Sequence, residues 1–177
     1  KRQILYNQKM KRGENLGYVG TFLKQFRDVA KLCNDQNIKI VSNAGGLNPA
    51  SMAAEVENII KELNLDLKVA YIDGDDLMPR LDELSSSGEK LKNIDKNNDL
   101  FSYEKKPLTA NAYLGAWGIK EALDNGADVV ICPRVTDAAV VIGPAAWKFN
   151  WSRNDYDQLA GALAAGHIIE CLSLIHI

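Results

Sequence analysis

Three turns of the sequence combine glycine or proline with side chains that could bind or activate a small molecule. Each turn follows a short apolar run rich in β-branched residues, and each precedes a segment with helical periodicity. If the runs are neighbouring parallel strands, the polar groups meet at the carboxyl ends of the strands, where open α/β sheets bind ligands. The competing interpretation is that these turns are polar because they face water. The groups concerned are Ser42, Asn43, Asn48, Asp73, Asp75, Asp76, Arg134, Thr136 and Asp137.

The first turn contains a pair of glycines, Gly45 and Gly46, between Asn43 and Asn48. Glycine permits positive φ and lets a ligand approach the backbone closely, so we predict that these four residues bind an anionic group of the substrate. Pro49 suits the first position of the following helix. The spacing is neither G-x-G-x-x-G nor that of a Walker loop, and a plain strand-to-helix turn explains the glycines as well.

The second turn is acidic, with Asp73, Asp75 and Asp76 around Gly74. Carboxylates at this spacing can bind Mg²⁺ together with water and a substrate phosphate, and a single acid at this place can hold a ribose hydroxyl. Either Asp75 or Asp76 could instead cap the helix expected from Leu77. We predict no metal site, keep the three aspartates as candidate Mg²⁺ ligands, and take Asp75 as a candidate catalytic carboxylate.

The third turn places Arg134 directly after a buried run, followed by Thr136 and Asp137. A guanidinium at this position can hold a carboxylate or phosphate through two parallel hydrogen bonds, and the amino end of the next helix would favour the same anion. We predict that Arg134 and Thr136 bind the substrate anion in a crevice shared with Asn43, and that Asp137 orients Arg134 or acts in catalysis. A structural Arg134–Asp137 pair, with Thr136 or Asp137 capping the helix, is the alternative.

A fourth group, His167, Glu170 and Cys171, has the i, i+3, i+4 spacing of residues on one helical face. That spacing can ligate a metal, but a histidine in an alanine-rich helix is more often a core residue satisfied by hydrogen bonds. Cys33 lies on the apolar stripe of a predicted helix and is interpreted as a core residue.

The elements that must position these groups form an α/β fold. We predict a parallel sheet of βαβ units with helices on both faces, truncated at both ends, in a single domain that spans residues 1–171. Residues 86–106 are polar and are predicted to be a long surface excursion. Strands are predicted at 38–41, 67–72 and 128–132, and helices at 1–12, 22–33, 50–63, 77–85, 111–123, 138–147 and 156–171.

Composition narrows the function classes. The chain has 177 residues, of which 46% are hydrophobic and 25% charged, and its net charge is −2. These values are typical of a soluble globular protein and give no electrostatic footprint for nucleic acid or an anionic membrane. The three cysteines are widely spaced, which argues against a disulfide framework and favours a reducing cytoplasm. Residues 172–177 resemble translated sequencing-adapter sequence, so we predict a fragment with a non-native tail.

Five motifs occur in the order in which one protein family carries them. They are residues 41–49 (VSNAGGLNP), 74–77 (GDDL), 110–116 (ANAYLGA), 134–138 (RVTDA) and 165–167 (AGH). Together they closely resemble the N-terminal domain of the acyclic terpene utilisation protein family. The resemblance covers nearly the whole chain up to Cys171, and it adds Asn111 to the predicted substrate-binding residues.

The resemblance implies a cytoplasmic catabolic protein that acts in degradation of citronellol- or geraniol-type compounds, with a CoA thioester as a possible substrate. It does not define the reaction. The expected partners are the acyl compound itself and, in addition, a second copy of the chain or other enzymes of the pathway. Two further functions stay open, a non-catalytic acyl-CoA-binding or scaffolding subunit and a nucleotide-binding domain.

Overall fold

The centre of the protein is a three-stranded parallel sheet. The computed structural model describes residues 16–175, with side-chain burial for residues 16–170. The strands are β1 (Ile40–Ser42), β2 (Val69–Tyr71) and β3 (Val129–Ile131), in the order β1-β3-β2. Val129 pairs with Ile40 on one side and with Val69 on the other. The predicted parallel sheet is confirmed, although each strand is shorter than predicted and the third strand separates the first two.

Between residues 16 and 175, six α-helices accompany the sheet. The helix bounds are α1 Gly20–Asp35, α2 Pro49–Glu62, α3 Leu81–Ser86, α4 Trp117–Asp124, α5 Ala139–Lys148 and α6 Tyr156–Ile175. A 3₁₀ turn at Met78–Arg80 precedes α3, so the single helix predicted for residues 77–85 is divided in two. The Arg80 N–H donates to the Leu77 carbonyl at 3.0 Å, an i→i−3 hydrogen bond, so the chain makes a 3₁₀ turn before α3 begins.

The helices cover both faces of the sheet, as predicted. Val129 and Ile131 of β3 pack with α1 and α2, whereas Val130 packs on the opposite face with α4 and α5. β3 is buried along its whole length because it has a neighbouring strand on each side and helices on each face. This position explains its continuous run of apolar residues. Helix α6 packs against α5, where Gly166 lies close to Ala138.

The helix predicted for residues 111–123 begins six residues later, at Trp117. Residues 110–114 are extended instead and lie between the turns that follow β2 and β3. Asn111 forms an antiparallel bridge with Asp76, and Leu114 forms a parallel bridge with Val135. The backbone groups that a helix would have paired locally are therefore hydrogen-bonded to two distant loops.

Residues 86–106 are exposed to solvent except at Asp99 and Leu100, and they contain one 3₁₀ turn, Leu100–Ser102. Helix α6 continues past Cys171, the predicted helix end, to Ile175. The predicted first helix at residues 1–12, and the tail residue His176, lie outside the described residues.

None of the helices between residues 16 and 175 combines the length and the apolar character that a bilayer crossing requires.

Candidate functional site

A cleft of about 370 Å³ opens where the turns after β1 and β3 meet the amino end of α5 and one side of α6. Parallel strands end at the same edge of the sheet, which is why the turns that follow them lie together. Four of the predicted site residues are therefore brought to one cleft. Its lining residues are Val19, Asn43, Gly46, Arg134, Asp137, Val140, Val141, Gly166, Ile169 and Glu170.

Arg134 is the cation among the described residues that line this cleft, and its side chain pairs with Tyr113. The Nη2 group of Arg134 donates a hydrogen bond of 2.7 Å to the Tyr113 hydroxyl, and the guanidinium carbon lies 4.7 Å from the centre of the tyrosine ring. The Nε atom of Arg134 is buried and has no hydrogen-bond partner in the part of the chain that the structure describes. Because the guanidinium is always charged and a buried donor without a partner is unfavourable, this edge of Arg134 suits an anionic acceptor.

The alternative Arg134–Asp137 pair is not formed. Among the residues that the structure describes, no carboxylate lies within ion-pair distance of Arg134, and Asp137 is exposed without a hydrogen bond. The predicted capping by Thr136 or Asp137 is also wrong. The cap position of α5 is Ala138, which has no side-chain acceptor, and Thr136 contributes only its backbone carbonyl, to the Ala139 N–H at 2.8 Å. The helix starts one or two residues later than the capping prediction required.

The glycine turn is pressed against the end of β3. Gly46 has a φ of +59°, and the Gly45 N–H donates to the Cys132 carbonyl at 3.1 Å. A Cβ atom on Gly45 would lie 2.6 Å from that carbonyl oxygen. Both glycines are thus required by backbone geometry, and of the two only Gly46 lines the cleft.

Asn48 uses its side chain within the fold. Its Oδ1 accepts a hydrogen bond from the Ser51 N–H at 3.2 Å and thereby caps α2, and its Nδ2 donates to the Leu16 carbonyl at 3.1 Å. Asn48 does not line the cleft, so the structure does not place it with Asn43 and Arg134.

Asp75 lies behind the cleft rather than in it. Its side chain is buried, with 5% of the residue exposed, and its Oδ2 accepts from Asn111 Nδ2 at 2.8 Å and from the Arg134 backbone N–H at 3.3 Å. Burial raises the pKa of Asp75 above its ordinary value, and the hydrogen bonds from Asn111 and Arg134 offset only part of that effect.

The acidic turn does not gather into a metal site. Asp73 is exposed, Asp75 is buried against Asn111, and Asp76 Oδ1 accepts from the Met78 N–H at 2.9 Å. The predicted capping by Asp75 or Asp76 is nevertheless wrong, because the cap positions of the 3₁₀ turn and of α3 are Leu77 and Arg80 and neither has a side-chain cap. Within residues 16–170, no three His, Cys, Asp or Glu side chains come together in a way that could hold a metal ion. The side chain of Cys171, the third residue of the predicted helical group, lies outside the described region.

Sequence reasoning missed two contributions to the site. Tyr113, the partner of Arg134, lies within the helix predicted for residues 111–123, and that helix does not form there. Val140, Val141 and Ile169 form an apolar wall of the cleft and belong to none of the five motifs. The available signal for Tyr113 was its place in the motif of residues 110–116, next to Asn111.

A comparison with protein families identifies the chain. The family model described as "Acyclic terpene utilisation family protein AtuA" matches residues 2–175. Neither a curated protein nor a solved structure matches the chain significantly. The family match extends across all the strands and helices described above. The chain therefore belongs to the acyclic terpene utilisation family, and its role is in the utilisation of acyclic terpenes.

Proposed function

We propose that the protein binds a branched terpenoid acid, free or as its CoA thioester, in the cleft beside Arg134. The observation that carries the proposal is Arg134, which lines a cleft with an apolar wall and whose buried Nε has no partner among the described residues. The carboxylate of a free acid, or a phosphate of CoA, would supply the missing acceptor. These two anions share one recognition chemistry, because both accept parallel hydrogen bonds from a guanidinium.

The shape and lining of the cleft support this ligand class. Its volume of about 370 Å³ lies within the usual range for small-molecule sites, roughly 300–1,000 Å³. Val140, Val141 and Ile169 offer an apolar surface for a branched hydrocarbon chain, whose burial is favourable in proportion to the apolar area removed from water.

Two carboxylates, Asp137 and Glu170, also line the cleft. The charge of Asp137 disfavours further anionic groups inside the cleft, so we expect one carboxylate or one phosphate at Arg134 and the other phosphates of a CoA ligand outside the cleft. The exposed Asp137 is suited to accept a hydrogen bond or a proton from a hydroxyl group of the ligand, and we keep it as the candidate catalytic carboxylate. Asn43, which also lines the cleft, can donate a hydrogen bond to a carbonyl or hydroxyl oxygen.

A non-catalytic subunit that binds the acyl compound without converting it would use the same cleft. If the chain is an enzyme, Asp137→Asn is expected to lose turnover and to keep its affinity for the ligand. A subunit that only binds the compound shows no turnover with or without this substitution. A nucleotide is not proposed, because Asp75, the acid that would hold a ribose, is bonded to Asn111 and does not line the cleft. We also place the protein in the cytoplasm, which the buried free thiols of Cys33 and Cys132 support.

The test is calorimetric titration of the chain with citronellic acid, citronellyl-CoA, free CoA and the neutral alcohol citronellol. The acid and the thioester are expected to bind and the alcohol to bind more weakly. Comparison of the acid with free CoA shows which anion Arg134 holds. Arg134→Ala is expected to lose about 2–5 kcal/mol of binding free energy, the range for removing one partner of a buried charge pair. Arg134→Lys is expected to weaken binding as well, because an ammonium group cannot make the two-pronged contact.

Arg153 provides a matched control. It also stacks on an aromatic ring, with its guanidinium carbon 5.0 Å from the centre of Trp117, but it is exposed and does not line the cleft. Arg153→Ala is expected to bind all probes as the unmodified protein does. Unchanged affinity in a folded Arg134→Ala variant would contradict the proposal.

A further inference from the structure

Resting on the function just proposed, we propose that Asp75 is a positioning residue that, together with Asn111, fixes the Tyr113–Arg134 pair at the cleft. Asp75 does not line the cleft, so it would act on the ligand only through these neighbours. The assignment follows from three sets of contacts that join the turn after β2, residues 110–114 and the turn after β3.

The first contacts are made by the Asp75 side chain itself. One oxygen, Oδ2, accepts from Asn111 Nδ2 at 2.8 Å and from the Arg134 backbone N–H at 3.3 Å. A single carboxylate oxygen thus bonds residue 111 and residue 134, which are far apart in sequence. Moving Asp75 would release both the start of the extended segment and the backbone of the cleft arginine.

The second contacts fix Tyr113 from both sides. The N–H of Ala112 donates to the Asp75 carbonyl at 2.8 Å, and the N–H of Leu114 donates to the Arg134 carbonyl at 3.0 Å. Tyr113 lies between these two anchored residues. Its own side chain is largely exposed, with 60% of the residue accessible, so local packing contributes little to its position.

The third contact holds the guanidinium of Arg134 against Tyr113. Tyr113 accepts the hydrogen bond from Arg134 Nη2 at 2.7 Å and places its ring against the guanidinium. A long arginine side chain loses rotamer entropy when it is immobilised. If Tyr113 holds the side chain before the ligand arrives, this entropy loss does not weaken ligand binding, which is the advantage of a preorganised site.

Asp75 differs in this respect from Asp128, the half-buried acid at the opposite end of β3. Burial alone would raise the pKa of Asp128, but hydrogen bonds from the Lys39 ammonium and the Lys68 N–H outweigh burial and hold it below the ordinary value. The raised pKa of Asp75 means that its ionised form destabilises the fold. A role in stability therefore explains Asp128, whereas the arrangement around Asp75 is explained by the geometry that it imposes on Arg134.

The test has one arm without ligand and one with ligand. In arginine-selective ¹⁵N NMR spectra of the ligand-free chain, the buried Nε–H of Arg134 is expected to exchange slowly with solvent. In Asp75→Asn, which replaces one acceptor oxygen by a donor, and in Asn111→Ala, exchange of this proton is expected to accelerate by about tenfold or more, the change expected from losing one hydrogen bond to a charged group. Affinity for citronellic acid, measured by calorimetry, is expected to fall in parallel.

The control is Asp128→Asn, which removes a bridging carboxylate at the start of β3, the end of the strand opposite Arg134. It is expected to leave the exchange rate and the affinity unchanged although it lowers stability. Faster exchange of the Arg134 Nε–H in all three variants would mean that exchange follows global stability. Unchanged exchange in Asn111→Ala and Asp75→Asn would mean that Asp75 does not position Arg134. Either result overturns the proposal. If Asp75→Asn does not fold, Asn111→Ala decides the question. If the unmodified chain binds no probe, the proposed function fails while the ligand-free arm still tests the positioning role.

Discussion

Gly45 packs closely against the end of β3, so the loss of stability caused by a methyl group at this position can be estimated. In Gly45→Ala the new Cβ would stand 2.6 Å from the Cys132 carbonyl oxygen, 2.8 Å from Pro49 Cβ and 3.0 Å from Ile131 Cγ2. Ordinary contact begins at 3.4 Å, so the turn must move away from β3 by about 0.8 Å. Two of the three obstacles are a backbone carbonyl and a proline ring, neither of which can rotate out of the way.

This displacement has two energetic consequences. Forcing a methyl group into a packed position costs about 1–3 kcal/mol. The same movement stretches the 3.1 Å hydrogen bond from Gly45 N–H to Cys132 beyond hydrogen-bonding distance, which costs roughly 0.5–1.5 kcal/mol more. We therefore expect Gly45→Ala to lower the free energy of unfolding by about 2–4 kcal/mol, a large share of the roughly 5–15 kcal/mol that holds a typical domain together.

The assay is urea-induced unfolding followed by circular dichroism, with the slope of the transition checked for equality between variants. Gly161→Ala is the control, because Gly161 lies within α6 and a Cβ there would meet nothing within 4 Å. The control is expected to gain about 0.5–1 kcal/mol, since alanine is the better helix former. A Gly45→Ala variant within about 0.5 kcal/mol of the unmodified protein would refute the close-contact argument.

Two further predictions concern pH and local order. Asp75 has a folded-state pKa above its ordinary value of 3.8, so its contribution to stability is complete below pH 3.8 and is lost as pH rises through the folded-state pKa. The pKa of Asp128 is lowered, so Asp128 contributes to stability above pH 3.8 and loses that contribution as pH falls through its folded-state pKa. Urea unfolding between pH 3 and 8, at roughly unit steps, tests both shifts. Relative to the unmodified protein, the free energy of unfolding of Asp75→Asn should rise as pH rises, and that of Asp128→Asn should rise as pH falls. Parallel curves of the free energy of unfolding against pH would contradict the assigned pKa shifts. In hydrogen exchange followed by mass spectrometry, amides of residues 86–106 should exchange well before those of β3, because that segment buries too little apolar area to offset its ordering entropy; protection equal to that of Val130 would show this reasoning to be wrong.

The part of the fold that could be predicted from the sequence was the part determined by local pattern. β3 was predictable because Val129, Val130 and Ile131 form an unbroken apolar run, and α2 because Pro49 and a periodic apolar stripe follow a turn. The order of the strands was not predictable in this way. Nothing local shows that the last strand along the chain lies between the first two, since that depends on which faces the helices cover.

The candidate site shows the same division. The meeting of Asn43 and Arg134 follows from parallel strands, which end at one edge of a sheet. The pairing of Arg134 with Tyr113 depends on residues 110–114 being extended, and their sequence has helical periodicity. Hydrogen bonds to two distant turns outweigh that local preference, and only the folded chain supplies them. The burial of Asp75 could not be read from its acidic neighbours for the same reason.

The central position of β3 also has a consequence for how the chain folds. Within residues 16–175, β1 and β2 pair only with β3, and the flanking contacts Lys39–Asp128 and Lys68–Asp128 span 89 and 60 residues. No strand can therefore find its partner until β3 has left the ribosome, which takes several seconds at about 5–20 residues per second. During that interval the apolar faces of α1 and α2 pack without a completed sheet beneath them. We expect folding to be limited by this late closure of the sheet.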